Sequence, residues 1–246
     1  MSETIIVDYF KNAFGATLQS KTIPSLDGLR AISVGFVVLS HILFKNFDTS
    51  IYRFFIYQEV GVSLFFVISG YLITTILIKE QKAQGGIDYK KFALKRVFRI
   101  FPAYYFFLVF WMILGPYFGY EIDGAYMLAS FLYVGAYYPA PISILFGHSW
   151  SLAVEEQFYL FWPLVLKLFS DHNKIIRLIL ILILLMPFSR VLTYYFSDLY
   201  KYKYYFLIHG RLDTLMFGCL LAFATEYKRF SKYIEFLKQR RSFYLF

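Results

Sequence analysis

Long apolar segments separated by short polar connectors follow one another along most of the chain. Seven of them are predicted to lie in a membrane: Ala31–Phe47, Val60–Ile78, Phe101–Phe118, Tyr126–Phe146, Trp150–Phe169, Ile175–Tyr195 and Gly210–Thr225. A helix needs about 20 mainly apolar residues to cross the hydrocarbon layer, and most of these segments approach that length. The pattern predicts an all-α fold, a polytopic transmembrane helix bundle, which we assign to residues 22–226 as one domain.

The two ends of the chain are polar and charged. Residues 1–21 lack the ordered charged and apolar regions of a cleaved signal peptide, and we expect them to lie in the cytoplasm. Residues 227–246 are predicted to form a basic amphipathic tail that leads into the start of a further apolar segment at Ser242–Phe246. From this ending we expect a C-terminally truncated chain.

Positive charge is concentrated between the apolar segments. The net charge is +9, yet 59% of the residues are hydrophobic. The connector Lys79–Arg99 is strongly basic and is expected to be cytoplasmic, because loops rich in Lys and Arg remain inside. Within it, Ile87–Ile100 is predicted to form an amphipathic helix on the membrane surface. We therefore expect membrane lipids, and not nucleic acid, as the partner of this charge.

Regular alternation of the seven segments conflicts with the later charges, because it places Lys167 and Lys174 outside the cell. The conflict disappears if Tyr126–Phe146, which contains two prolines, enters the membrane and returns on the same side. Irregular backbone is tolerated at membrane depth where protein covers it. We therefore expect this segment to be re-entrant rather than spanning.

Arg30 and His41 lie eleven residues apart in the first apolar segment. Eleven helical steps bring His41 back to within about 20° of Arg30 and roughly 16 Å further along the axis. This spacing predicts a guanidinium at the membrane surface and an imidazole near the midplane, a depth at which ionisable groups usually mark a reactive site or a pathway. A neutral imidazole there can act as a general base. The alternative is a packed histidine with satisfied ring nitrogens.

A second group of chemical interest follows His148. Ser151, Glu155, Tyr159 and Trp162 fall on one stripe of the predicted helix. Glu156 is turned about 100° away from that stripe, so the two acids need not share a role. Ser149 is the expected N-cap, which would place both carboxylates near the positive end of the helix dipole.

Three further patterns have a functional and a structural interpretation. Arg96 and Arg99 form either a phosphate clamp or a lipid-headgroup anchor. Ser69, followed by Gly70 in an apolar helix, forms either a packing notch or part of a cavity wall. Arg211 and Asp213 are expected to pair at a helix start, mainly for structure. No histidine has the spacing of a metal ligand set, so we predict no metal site.

Five motifs, in this order, resemble the signatures of the acyltransferase 3 family of integral-membrane O-acyltransferases. They are IPSLDGLRAI before His41, GVSLFFVISGYLI, RVFRIFPAYY, HSWSLAVEEQFYLFWP and GRLDTLMFGCLLA. The resemblance runs from about Thr22 to Glu226. The family has about ten helices, so this chain is expected to be a partial or degenerate member.

The resemblance implies transfer of an acyl group, usually acetyl, from acyl-CoA to a hydroxyl of a cell-surface carbohydrate such as lipopolysaccharide or peptidoglycan. It also implies a multi-pass protein of the bacterial inner membrane. His41 and Glu155 would be catalytic, the first as general base. The other expected site residues are donor-binding Arg30, Arg96, Arg99 and Tyr105; acceptor-binding or cavity-lining Ser69, His148, Trp150, Ser151 and Tyr159; and structural Asp27, Arg211 and Asp213. Acetyl-CoA is the expected donor substrate.

Two other functions fit part of the pattern. A proton-coupled transporter or channel would use His41 and Glu155 as a proton relay, but it would need repeats or paired broken helices, and neither is evident in the sequence. A non-catalytic fragment is the second alternative. Within the enzyme interpretation, direct transfer and an acyl-histidine relay both remain open.

Overall fold

A computed structural model describes residues 24–44, 56–138, 145–169, 171–198 and 206–227; for residues 24, 25, 40–44 and 56–58 it describes the backbone alone. This part of the chain is helical and contains no strand, so the all-α prediction is confirmed. The helices are α1 (Pro24–Phe44), α2 (Ile56–Gln84), α3 (Tyr89–Leu114), α4 (Gly124–Phe131), α5 (Trp150–Leu168), α6 (His172–Phe196) and α7 (Ile208–Glu226).

Three stretches are long and apolar enough to cross a membrane: Glu59–Gln84, Tyr89–Phe118 and His172–Phe196. The first is 61% buried among its neighbours, whereas the other two are only 11% buried. The exposed faces of α3 and α6 carry large apolar side chains such as Phe106 and Leu184. Such faces require an apolar solvent, so α2 is the centre of the bundle and α3 and α6 face lipid.

The central contact joins α2 and α7, which run in the same direction. Glu59 and Arg211, near the two helix starts, form an ion pair of 2.6 Å. Lys82 and Glu226, near the two helix ends, form another of 3.2 Å. α1 packs along α2 and α6 packs along α7, and fully buried apolar side chains such as Phe66 fill the space between the helices.

α3 corrects one prediction. The expected surface helix Ile87–Ile100 and the expected spanning helix that follows it form one continuous helix, with Pro102 in its interior rather than in its first turn. The true start is capped by Asp88, whose carboxylate accepts a hydrogen bond of 3.0 Å from the backbone N–H of Lys91. A proline removes only one backbone hydrogen bond, and membrane helices tolerate that loss where neighbouring groups compensate.

The predicted segment Tyr126–Phe146 does not form a spanning helix in the residues described. α4 has eight residues, about 12 Å of helix, and tight turns follow it up to Tyr138. Residues 139–144, with both prolines, lie outside the described residues. The ring of Phe107 in α3 contacts that of His148, just before α5, with centroids 5.1 Å apart. α3 therefore ends, and α5 begins, at the same end of the bundle.

The opposite end, which we call the basic end, brings together the ends of α2 and α7 and the starts of α3 and α6. Glu226 pairs with Lys82 and also with Lys79 at 3.5 Å. His172, the first residue of α6, contacts the Tyr227 hydroxyl, and burial, together with the adjacent Glu226 carboxylate, raises the pKa of that hydroxyl. This arrangement puts the later cations on the side of the basic connector, as the re-entrant prediction requires.

Candidate active site

Polar side chains from four helices meet inside the bundle. We call Arg30 of α1, Ser69 of α2, Arg96 of α3 and Glu155 and Tyr159 of α5 the polar cluster. Ser69 lies beside both the Glu155 carboxyl and the Tyr159 hydroxyl, and Glu155 interacts electrostatically with both guanidiniums. The structure thus brings together five of the residues predicted from separate motifs.

Hydrogen-bonding capacity within the cluster is unused. Glu155 is only 5% exposed, yet its Oε1, the Ser69 hydroxyl and Arg30 Nε have no hydrogen-bond partner of good geometry among the described residues. Buried polar atoms are nearly always paired in native proteins, and an unpaired one costs about 1–3 kcal/mol. A group of such atoms facing one another therefore indicates a place where a polar ligand binds.

Arg96 is held by aromatic rings rather than by an acid. Its guanidinium lies 5.0 Å from the ring centre of Tyr159 and 5.5 Å from that of Phe92. Contacts of this kind contribute roughly 0.5–2 kcal/mol and leave the N–H groups free to bind a ligand. Arg99, the other half of the predicted clamp, is exposed. Only the first arginine of the pair thus joins the polar cluster.

The depth predicted for Arg30 is wrong. Its guanidinium lies 5.9 Å from the ring centre of Phe65 and close to Glu155, level with the middle of α2 rather than at one end of the bundle. α1 begins at Pro24, before the predicted apolar segment Ala31–Phe47. Arg30 therefore lies within the helix rather than at its start. A buried carboxylate offsets the cost of burying the guanidinium.

His41 belongs to α1, but its side chain lies outside the described residues, so its catalytic role stays a prediction. α1 runs antiparallel to α2, since Arg30 lies against Phe65 whereas Ser33 and Phe36, further along α1, lie against the earlier Gly61. Eleven residues of helix therefore carry the chain from Arg30 about 16 Å toward the end where α2 begins.

The start of α5 carries the remaining predicted cavity residues. Trp150 packs edge-on against Phe66, with ring centres 5.9 Å apart. The Ser151 hydroxyl donates to the backbone carbonyl of His148 at 3.4 Å, and His148 is exposed. Ser149 occupies the N-cap position, but its hydroxyl donates to Phe146 O at 2.7 Å instead of accepting from the helix, so the predicted capping bond is wrong.

Tyr105 and Asp27 show no contact with the polar cluster. The Tyr105 hydroxyl donates to Phe131 O at 3.1 Å, and its ring stacks on that of Phe131 with centres 5.5 Å apart. This side chain thus anchors the end of α4, and its predicted role in donor binding gains no support. Asp27 is exposed in the first turn of α1, where a negative charge stabilises a helix start.

The predicted pairing of Arg211 with Asp213 is wrong. Arg211 pairs with Glu59 at 2.6 Å, and Asp213 pairs with Arg190 of α6 at 2.8 Å. Residues two apart in a helix point in nearly opposite directions and do not face each other. The two residues instead tie α7 to α2 on one side and to α6 on the other.

Two residues of the site were not among the site residues expected from the sequence, although Glu156 was noted there as the neighbour of Glu155. In the part of the chain that the structure describes, Glu156 Oε1 and the Tyr133 hydroxyl are buried and have no hydrogen-bond partner. They lie within electrostatic range of each other, and Glu156 also lies within range of Arg96. The adjacent acids in α5 were a usable signal for Glu156. Nothing in the sequence identifies Tyr133, because its place depends on a turn with a left-handed φ of +58°.

Comparison with known proteins gives a consistent match. The family model described as an acyltransferase domain matches residues 23–245. The peptidoglycan O-acetyltransferase OatA of Listeria monocytogenes is 33% identical over 234 residues, 86% of this chain and 35% of that protein. The O-acetyltransferase OatA of Staphylococcus aureus is 33% identical over 217 residues, 82% of this chain and 34% of that protein.

The putative peptidoglycan O-acetyltransferase YrhL of Bacillus subtilis is 32% identical over 239 residues, 87% of this chain and 35% of that protein. The chain thus spans about a third of the length of these curated relatives. No solved structure matches.

Proposed function

The chain belongs to this family of integral-membrane acyltransferases, and from that premise we propose that it transfers an acyl group, usually acetyl, from acyl-CoA to a hydroxyl of a cell-wall glycan. The names of two relatives specify peptidoglycan as the acceptor, which narrows the range of surface carbohydrates expected from the sequence. A lipid-linked precursor of that glycan is an acceptor of the same chemistry.

The polar cluster is the observation that carries this proposal. When a hydroxyl attacks a thioester, negative charge develops on the carbonyl oxygen, and fixed donors in a site shielded from water stabilise it. Arg30 supplies such a donor between apolar helices. Arg96 is suited instead to the donor phosphates, because it rests on aromatic rings and forms no ion pair among the described residues.

Two routes for the hydroxyl proton and the acyl group are compatible with this proposal. In direct transfer, His41 takes the proton from the acceptor hydroxyl as the oxygen attacks, the C–S bond breaks, and CoA leaves as a thiol. In the relay, an imidazole nitrogen of His41 attacks the thioester, the C–S bond breaks and CoA leaves as a thiol. The acceptor hydroxyl then attacks the acyl-imidazole, the N–C bond breaks and the released imidazole takes the hydroxyl proton. Glu155 binds the acceptor in either route, because it lies beside Arg30, about 16 Å along α1 from His41. General-base help of this kind contributes roughly 10²–10⁴-fold.

The proposed membrane orientation follows from charge. The basic end would face the cytoplasm of a bacterial cell, since clusters of Lys and Arg are retained inside, and the N-terminus would lie there too. Acyl-CoA is a cytoplasmic metabolite with a polyanionic head, so it would approach from the basic end. The glycan acceptor would approach from the other end.

A test uses membranes that contain the full-length protein, radiolabelled acetyl-CoA and a cell-wall glycan acceptor. We expect wild-type membranes to label the glycan and His41→Ala to abolish labelling at an equal protein level. His172→Gln, at the basic end, is the matched control and should keep transfer. Near-normal labelling by His41→Ala would refute the base assignment. Proton-coupled solute uptake without labelling by the wild type would replace the enzyme with a transporter.

A further inference from the structure

Glu156 and Tyr133 form a second polar group next to the polar cluster. Glu155 faces α1 and α2, whereas Glu156, about 100° further around α5, lies near α3 and the turn after α4, within electrostatic range of Tyr105 and Tyr133. Tyr133 is only 8% exposed. Its hydroxyl and Glu156 Oε1 are both buried, and neither has a hydrogen-bond partner within residues 24–44, 56–138, 145–169, 171–198 and 206–227.

Tyr133 is held in this position by several contacts. It has a φ of +58°, which a bulky side chain rarely adopts, and such conformations concentrate at functional sites. Gln157, beside Glu156 on α5, donates to Tyr133 O at 2.8 Å. The ring stacks on that of Tyr104 with centres 4.5 Å apart. The surroundings thus fix a strained phenol whose hydroxyl has no partner among the described residues.

The chemistry of this pair fits a neutral, hydroxylated ligand. A carboxylate accepts hydrogen bonds from hydroxyl groups, and a phenol both donates and accepts. Tyr105 adds an aromatic wall, since its ring lies edge-on to Tyr133 with centres 6.3 Å apart.

We propose that Glu156 and Tyr133 form a binding subsite for hydroxyl groups of the acceptor glycan. The inference rests on the proposed function and adds the residues that hold the acceptor. Its place in the fold agrees, because α4 and the turns after it follow the end of α3 opposite the basic end. Donor and acceptor would then meet at the polar cluster from opposite directions.

The test compares two phenols in one aromatic stack. Tyr133→Phe removes a hydroxyl that has no partner, whereas the control Tyr104→Phe removes one that donates to Ser130 O at 2.7 Å. In the full-length protein, we expect Tyr133→Phe and Glu156→Gln each to raise the apparent KM for a soluble N-acetylglucosamine oligosaccharide by about tenfold, the effect of one lost hydrogen bond to a charged or fixed partner.

The other readouts separate binding from folding. Tyr133→Phe should leave the apparent KM for acetyl-CoA and the thermal midpoint in detergent unchanged. Tyr104→Phe should lower the thermal midpoint and leave both KM values unchanged. A lower midpoint for Tyr133→Phe with an unchanged oligosaccharide KM would show a structural role and overturn the subsite.

Direct binding of the same oligosaccharide distinguishes this inference from the proposed function. Binding by the wild type that is lost in Glu156→Gln, without any acetyl transfer, would support the subsite while the transfer proposal fails. Transfer with unchanged oligosaccharide KM in both variants would support the function and overturn the subsite. A wild type that neither binds nor acetylates the oligosaccharide would overturn both.

Discussion

Arg96 shows how a single side chain is prepared for a ligand. A guanidinium inside a protein is usually compensated by a hydrogen-bonded acid, but the half-buried one of Arg96 rests on the rings of Phe92 and Tyr159. The nearby carboxylates of Glu155 and Glu156 interact with it electrostatically, yet no ion pair of Arg96 occurs among the residues described. The side chain is therefore positioned by its flat face while its polar edge remains available.

We expect Arg96→Ala to raise the apparent KM for acetyl-CoA by about tenfold or more, because a charge-assisted hydrogen bond contributes about 1.5–3 kcal/mol. Arg96→Lys should recover part of the affinity, since it keeps the charge but loses the planar fork. Initial rates of glycan acetylation at varied acetyl-CoA measure both effects. Lys95→Ala, at the neighbouring exposed position, is the control and should leave KM unchanged.

An unchanged KM for acetyl-CoA in Arg96→Ala would contradict donor binding. Together with weaker membrane association, it would favour the alternative interpretation in which the basic residues of α3 anchor lipid headgroups.

At the scale of elements, the crossing of α2 and α7 depends on two glycines. A Cβ on Gly70 would collide with the backbone carbonyl of Leu215, and a Cβ on Gly218 would collide with that of Val67. Both obstacles are backbone, so no rotamer change relieves them. Helix interfaces in membranes use small residues for this close approach, and here the contact fixes the height of Ser69, which immediately precedes Gly70, within the bundle.

We expect Gly218→Ala to destabilise the protein by roughly 1–3 kcal/mol, the usual cost of overpacking. Its thermal midpoint in detergent should fall, and acetyl transfer should fall with it because Ser69 would be displaced. Gly35→Ala is the matched control, since a Cβ on Gly35 meets nothing within 4 Å and alanine is the better helix former. Equal midpoints for the two variants would contradict the close crossing.

Part of this arrangement could be predicted from the sequence alone. The buried stripe of α5 was predictable, because Glu155, Tyr159 and Trp162 recur at helical spacing, and all three are buried. The depth of Arg30 was not, since it depends on where α1 begins and on the acid that meets it from α5. The turn at Tyr133 could not be predicted either, because nothing in the sequence indicates that a tyrosine would adopt a left-handed backbone conformation.

At the scale of the whole molecule, the segments rich in Lys and Arg among the described residues fall at one end of the bundle, as the positive-inside rule requires. This holds only because α4, which follows α3, is too short to cross the bundle. Lys167 in the last turn of α5 and Lys174 in the first turn of α6 then share an end with the basic segment from Lys79 to Arg99. Lys167 lines the same surface cavity as Gln81 and Asp88, and Glu226 pairs with Lys79 and Lys82. Ion pairs thus join the ends of α2 and α7 at the basic end. From the sequence, only the tendency of Lys and Arg to remain on the cytoplasmic side was available as an argument.

Cysteine accessibility in intact cells tests this topology. We expect Lys174→Cys to resist a membrane-impermeant maleimide until the cells are permeabilised, because the basic end would face the cytoplasm. Glu121→Cys, an exposed position between α3 and α4, should be labelled in intact cells. The native Cys219 is buried, so the unmodified protein gives the background. Labelling of Lys174→Cys from outside would contradict the orientation, and equal labelling of both variants before permeabilisation would contradict the separation of the two ends.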